Sequence, residues 1–132
     1  MSSKFKVTRT DAEWRSLLSP EQYKVMRERG TEAPGSCALN LERRLGRFVC
    51  AGCDQPLFES KVKFESGTRW PSFNEPIEGA TESAEDRSHG IVRVEVHCSR
   101  CGSHLGHVFD DGPPPTYMRY CINGIALKFE PS

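Results

Sequence analysis

The sequence predicts a small β-rich domain with helices packed at its N-terminal end. Three observations carry that reading. From Ile91 to Cys98, Val92, Val94 and Val96 alternate with Arg93, Glu95 and His97, the period-two signature of a strand. Helix punctuation is confined to the N-terminal third. Two Cys-x-x-Cys pairs then divide the remaining chain into short segments suited to hairpins. At 132 residues the chain is read as one domain spanning 1–132, with 1–10 a candidate flexible N-terminus.

Taken in order, Thr10 or Asp11 can cap a short helix that buries Trp14, Leu17 and Leu18. Ser19-Pro20-Glu21-Gln22 is a capping box with proline at the first helical position. Tyr23 and Met26 repeat at helical spacing, and Gly30 is a natural stop. Thr31 to Asn40, with Pro34 and Gly35, reads as an irregular loop. Arg47-Phe48-Val49 and Lys61-Val62-Lys63-Phe64 are strand candidates, and Thr81 to Gly90 is polar enough to be a surface loop. His104 to Phe109, Tyr117 to Cys121 and Ile125 to Phe129 continue the β character. The run Pro113-Pro114-Pro115 forms a loop between two of these strands.

Composition narrows the function. Eighteen basic and eighteen acidic side chains cancel, so nothing global asks for nucleic acid as a partner. Residues 1–30 lack the apolar run of a secretory signal, and no stretch of roughly 18 apolar residues would span a membrane. No membrane partner and a cytoplasmic location are the expectations. Six cysteines in such a chain point to metal or catalysis before disulfides.

Cys50-Ala51-Gly52-Cys53 and Cys98-Ser99-Arg100-Cys101 each place two sulfurs on one tight turn, suited to two corners of a tetrahedron. Gly52 and Gly102 are expected to help the backbone turn. The pairs lie far apart in sequence, so a metal here would clip two distant hairpins together. Two disulfides are the alternative. Four thiolates leave zinc no open position, which makes the expected ion structural, one per chain.

Cys37 and Cys121 are left over. On a strand, Arg119, Cys121 and Asn123 share one face. A guanidinium beside a thiol favours the nucleophilic thiolate, although a buried cysteine is also an ordinary small hydrophobe. His104 and His107, followed by Asp110 and Asp111, could supply a proton donor and its orienting partner. They read equally as solvent-facing strand residues or metal ligands. Trp70, between turn residues and Pro71, either walls an apolar pocket or packs in the core.

In combination these segments resemble a known family. Cys50-x-x-Cys53, the run Ser66 to Phe73, Ser88-His89-Gly90, Cys98-x-x-Cys101, His104-Leu-Gly-His107-Val-Phe and Arg119-Tyr-Cys121-Ile-Asn123 occur in that order. The chain is similar to the B-type methionine-R-sulfoxide reductases from Trp14 to Phe129. The resemblance implies two antiparallel β-sheets in a sandwich or open barrel, with short N-terminal helices. It implies a structural Zn2+ on Cys50, Cys53, Cys98 and Cys101, and Cys121 as nucleophile. Trp70 would hold the substrate methyl, with Phe109 also in the substrate site. His104, His107 and Asn123 would line the pocket, with Arg119 and Asp111 near the nucleophile. The implied substrate is methionine-R-sulfoxide in oxidised proteins, and the implied reductant is thioredoxin.

Such chemistry needs these residue types. Oxide is a very poor leaving group, so a histidine must protonate it as the thiolate attacks; His107 is the first choice and His104 the second. Cys121 would become a sulfenic acid, which a second thiol resolves. Many family members carry that thiol where this chain has Thr68. Cys37, in the helix-to-sheet loop, is the replacement the departure leaves; the alternative is an incidental thiol at Cys37, with thioredoxin or a small thiol reducing the sulfenic acid directly. A zinc-stabilised binding module would have no need for Cys121 or the paired histidines. A hydrolase using His104 and His107 as ligands would need a third ligand and an open zinc.

Overall fold

The computed structural model describes residues 7–28, 30, 44–64, 70–87, 90, 92–114 and 116–131. Cys37 and its predicted loop lie outside the described residues, as do positions 65–69, 88 and 89. Among the described residues, two short helices precede nine strands. Helix α1 (Asp11–Leu17) starts at Thr10, whose Oγ1 accepts from Glu13 N (3.1 Å) while Thr10 N donates to Glu13 Oε1 (2.8 Å). Helix α2 (Pro20–Arg27) repeats the device with Ser19 and Gln22. Such caps contribute about 1 kcal/mol each, enough to matter in helices of two turns. Trp14 and Leu18 are buried as expected, but Leu17 is 49% exposed. It sits three positions after Trp14, yet the break at Leu18 turns the chain inward one residue later.

The strands are β1 (Gly46–Cys50), β2 (Pro56–Glu59), β3 (Lys63–Phe64), β4 (Ser72–Phe73), β5 (Thr81–Asp86), β6 (Arg93–Cys98), β7 (His104–Phe109), β8 (Arg119–Ile122) and β9 (Leu127–Pro131). They form a three-stranded sheet ordered β2-β1-β9 and a six-stranded sheet ordered β3-β4-β8-β7-β6-β5. Every pairing is antiparallel. The sheets meet through aromatic rings: Phe48 and Phe58 from the smaller sheet pack on Phe73, at 5.1 Å edge-on and 4.3 Å stacked. Val96, Leu105 and Ile122 of the larger sheet are fully buried. Helix α2 packs against β7 and the 3-10 turn Gly124–Ala126, and Gln22 Nε2 donates to Ile125 O (3.3 Å).

Several boundaries differ from the sequence reading. Thr81 to Asp86 is an edge strand, not a loop. Its side chains are mostly exposed, so no apolar alternation marked it, and its order comes from pairing with β6 from Thr81–Cys98 to Asp86–Arg93. Lys61 and Val62 lie in a 3-10 turn, leaving β3 only Lys63 and Phe64. Strand β8 begins at Arg119, since Tyr117 takes the left-handed conformation (φ 60°). Ile125 and Ala126 belong to the 3-10 turn before β9. Strand β2 was not foreseen: Leu57 and Phe58 are adjacent and both buried, so the segment does not alternate.

Candidate active site and cysteine cluster

The two Cys-x-x-Cys turns close hairpins in the same way. Cys50 N donates to Gln55 O and Asp54 N to Cys50 O; Cys98 N donates to Ser103 O and Gly102 N to Cys98 O, all at 2.8–2.9 Å. The residue after the second cysteine is left-handed in both, Asp54 at φ 64° and Gly102 at φ 76°. Gly52 therefore does not serve the turn as expected. A Cβ there would press on the Trp14 ring at 2.9 Å, so Gly52 lets α1 lie flat on the first knuckle.

Cys50, Cys53, Cys98 and Cys101 bring their sulfurs within 4.8 Å of one another. Cys50 Sγ lies 3.7 Å from Cys101 Sγ, and Cys53 Sγ 3.6 Å from Cys98 Sγ. These separations far exceed a disulfide bond of about 2.05 Å. They match the edge of about 3.8 Å in a tetrahedron with sulfur–metal bonds of about 2.3 Å. The donor set therefore fits a metal ion. Donors surround it as well: Gly52 N reaches Cys50 Sγ (3.4 Å), Gln55 Nε2 reaches Cys98 Sγ (3.6 Å), and Ser103 Oγ lies 3.2 Å from Cys101 Sγ. Arg27 donates to Cys101 O and Ser103 Oγ, both at 3.2 Å, and its guanidinium stacks on Trp14 at 4.3 Å. Arg9, over the same ring at 5.4 Å, donates to Gly52 O. Two cations thus flank a site whose thiolates would outnumber the charge of a divalent ion.

The larger sheet builds the second site on its outer face. Strand alternation sends Val96, Val108, Tyr120 and Ile122 inward and leaves Arg93, His107, Phe109, Arg119 and Cys121 outward. His107 is directly across from Cys121, and Phe109 from Arg119. Cys121 on its other side pairs with Ser72, which fixes Trp70 two residues away; Ile122 N donates to Pro71 O (2.9 Å). The result is a cavity of about 240 Å³ lined by Trp70, Arg93, Gly106, His107, Phe109, Arg119, Cys121, Ile122 and Asn123. At Gly106 the strands run so close that a Cβ would strike the Cys121 carbonyl oxygen.

Two histidines three apart on a strand should face opposite ways. An irregularity in the β6–β7 register removes that difference. Val96 pairs with Gly106 but His97 with His104, so one extra residue, Leu105, is absorbed between them. The rings of His104 and His107 then meet edge-on at 5.4 Å. Both are buried, at 2% and 9% exposure, so neither is a solvent-facing strand residue. His107 lines the cavity; His104 lies behind it, with Nδ1 3.1 Å from Glu95 Oε1. His107 Nε2 donates to Asp86 Oδ2 at 2.7 Å.

Arg119 is gripped by Asp111 through two hydrogen bonds, 2.8 and 3.2 Å, and stacks over Phe109 at 4.5 Å. The Asp111 carboxylate first, and Cys121 to a smaller degree, hold the Arg119 guanidinium above its ordinary range against the cost of burial. Asp111 itself stands outside the cavity lining. Asn123 Nδ2 and Asn123 N both donate to Leu105 O at 2.9 Å, which ties the end of β8 to β7.

Sequence reasoning missed three residues here. Asp86 was assigned to a surface loop. Arg93 and Glu95 marked the outer face of a strand without any sign that this face was covered. Their signal was present as alternation, because charged residues opposite a buried valine face either solvent or a site.

Comparison with known proteins is consistent with this geometry. The SelR domain matches residues 18–131. Over 127 residues, 96% of the chain, the sequence is 54% identical to peptide methionine sulfoxide reductase MsrB of Pseudomonas putida (strain W619), covering 96% of that protein. It is 55% identical to MsrB of Pseudomonas entomophila (strain L48), covering 97%, and 52% identical to MsrB of Agrobacterium fabrum (strain C58 / ATCC 33970), covering 94%. A domain match over most of the chain, with identity above one half along nearly the full length of each relative, means that this chain belongs to the SelR family, the MsrB-type peptide methionine sulfoxide reductases.

Proposed function

We propose that this chain reduces the R epimer of methionine sulfoxide, mainly in oxidised proteins, with Cys121 as nucleophile. The observation that carries this reading is the position of Cys121: half-buried in the cavity, opposite His107 in register and beside Arg119. The Cys121 thiolate attacks the electrophilic sulfoxide sulfur while His107 places a proton on the oxygen. A bond forms between Cys121 Sγ and the substrate sulfur as the sulfur–oxygen bond breaks and the protonated oxygen leaves as water; water then attacks Cys121 Sγ, the sulfur–sulfur bond breaks, methionine departs reduced by two electrons, and Cys121 is left as a sulfenic acid. Arg119, held by Asp111, favours the anionic sulfur before attack. Trp70 and Phe109 offer apolar surface for the substrate methyl and thioether. Asn123, braced on Leu105, lines the cavity beside them. His104 lies behind His107, which supports His107 as the proton donor.

A second thiol then attacks the sulfenic sulfur, a disulfide forms and water departs. Cys37 is proposed for that step, because Thr68 has no thiol and the other four cysteines form one cluster. Thioredoxin is the proposed reductant that returns both thiols. Cys50, Cys53, Cys98 and Cys101 are proposed to hold one Zn2+, which with four thiolates would stabilise the fold and take no part in the reaction.

An epimer-resolved assay on a blocked methionine sulfoxide tests the reading. With dithiothreitol, the protein is expected to consume the R epimer and spare the S epimer, and Cys121→Ser to lose at least about a thousandfold in rate with its melting temperature intact. Cys37→Ser is expected to release one methionine per chain in a single turnover, then stall with thioredoxin. Turnover of the S epimer, or an active Cys121→Ser, would overturn the assignment of the nucleophile. Thioredoxin turnover at the parent rate in Cys37→Ser would remove the role of Cys37 alone.

A further inference from the structure

A carboxylate from the edge strand reaches under the cavity wall. Asp86, the last residue of β5, presents Oδ2 to two partners at once: His107 Nε2 at 2.7 Å and Arg93 Nη2 at 3.2 Å. Its side chain is only 12% exposed, and that of Arg93 24%. Arg93 is also Asp86's register partner across β5–β6, so the pair is placed by backbone pairing and then closed by charge. A carboxylate can only accept, so His107 must donate through Nε2. Nδ1 is then the ring nitrogen left to serve the substrate.

We propose that Asp86, clamped by Arg93, is the positioning residue for His107: it fixes the ring's orientation and commits Nδ1 to the substrate oxygen. Asp86 does not line the cavity and acts only through the imidazole. The arrangement follows the general logic of a carboxylate that orients a catalytic imidazole and stabilises its protonated form. This inference rests on the reading of His107 as proton donor. Among the described residues, the charged and titratable groups facing His107 are Asp86 on β5, Arg93 and Glu95 on β6, His104 on β7, and Arg119 and Cys121 on β8. Asp86 is the one bonded to the ring.

The test is single-turnover methionine release for the zinc-loaded protein, its Asp86→Asn and His107→Ala variants, and the double variant. Asp86→Asn is expected to slow release roughly ten- to a hundredfold, with the substrate concentration for half-saturation changed less than about twofold. In the His107→Ala background, Asp86→Asn should add nothing. Asp86→Ala, which makes no hydrogen bond, is expected to behave as Asp86→Asn does, and zinc content and melting temperature confirm that each variant is folded. Nitrogen-15 spectra of the imidazoles give a readout independent of rate: neutral His107 should carry its proton on Nε2 in the parent and lose that preference in both Asp86 variants. An equal slowing in the presence and absence of His107, or an unchanged His107 tautomer, overturns the proposal. If His107→Ala keeps the parent rate, the donor reading fails, and the tautomer still decides whether Asp86 positions the ring.

Discussion

The cysteine cluster and the cavity lie in the same fold but depend on it differently. The cluster sits at strand ends. Each knuckle is closed by its own two backbone hydrogen bonds, and only the meeting of β1–β2 with β6–β7 is long-range. The cavity sits on strand bodies. Trp70, Arg93, His107 and Cys121 come from separate segments and share a face because four strands keep register. The cluster should therefore fail all at once, through loss of a ligand that joins two distant hairpins. The cavity should fail by degrees, through displacements that leave the fold standing.

The largest expected effect breaks the cluster. With the proposed Zn2+ in place, Cys98→Ser, or a chelator that strips the ion, should cost most of the folding free energy. Structural zinc sites of this kind are worth on the order of 10 kcal/mol, comparable with the whole stability of a small domain. Loss of the cooperative thermal transition, together with loss of about one zinc per chain by elemental analysis, is the expected result. A variant that melts within a few degrees of the parent would show that the knuckles hold together unaided.

An intermediate effect is expected at the strand contact beneath Cys121. Gly106→Ala drives a methyl group into the Cys121 carbonyl oxygen, and overpacking of this kind costs about 1–3 kcal/mol. The protein should still fold, with its cysteine cluster undisturbed. Because the displaced atom belongs to the proposed nucleophile, the rate should fall further than stability does, by roughly a hundredfold for a shift of about 1 Å. A denaturant titration beside a single-turnover assay measures both. Equal losses in the two would place the damage in the fold as a whole and show that the cavity fails no differently from the cluster.

The smallest effect on stability is expected at the rim. Arg119 holds the Asp111 carboxyl below its ordinary range through hydrogen bonds, with a further attraction of charge. A depressed carboxylate contributes stability above its unfolded pKa of about 3.9 and loses it as pH falls through the lower folded value. Asp111 is exposed to solvent, which keeps the contribution small. Asp111→Asn should therefore lower the melting temperature slightly at neutral pH, and the two proteins should converge as the solution is acidified through and below the ordinary carboxylate range. A difference that persists or grows in acid would show that the ion pair is not its source.

Features that are local in the chain can be read from consecutive residues alone. The capping boxes at Thr10 and Ser19, strand β7 from His104 to Phe109, and the two knuckles are written in a few consecutive residues, and the structure contains each of them. The motif order from Cys50 to Asn123 was enough to mark the family. What required the tertiary structure was whatever depends on pairing across strands. Strand β5 has no apolar alternation because both its faces are largely exposed, so only its ladder with β6 makes it a strand. Gly52 looked like a turn residue and is instead the seat of Trp14, a residue far away in the chain. The register irregularity at Val96 and His97 decided that His104 and His107 share a face, which a period of two would have denied. Asp86 met His107 for the same reason: hydrogen-bonded strands convert sequence distance into side-chain contact, and no window along one strand contains its partner's register.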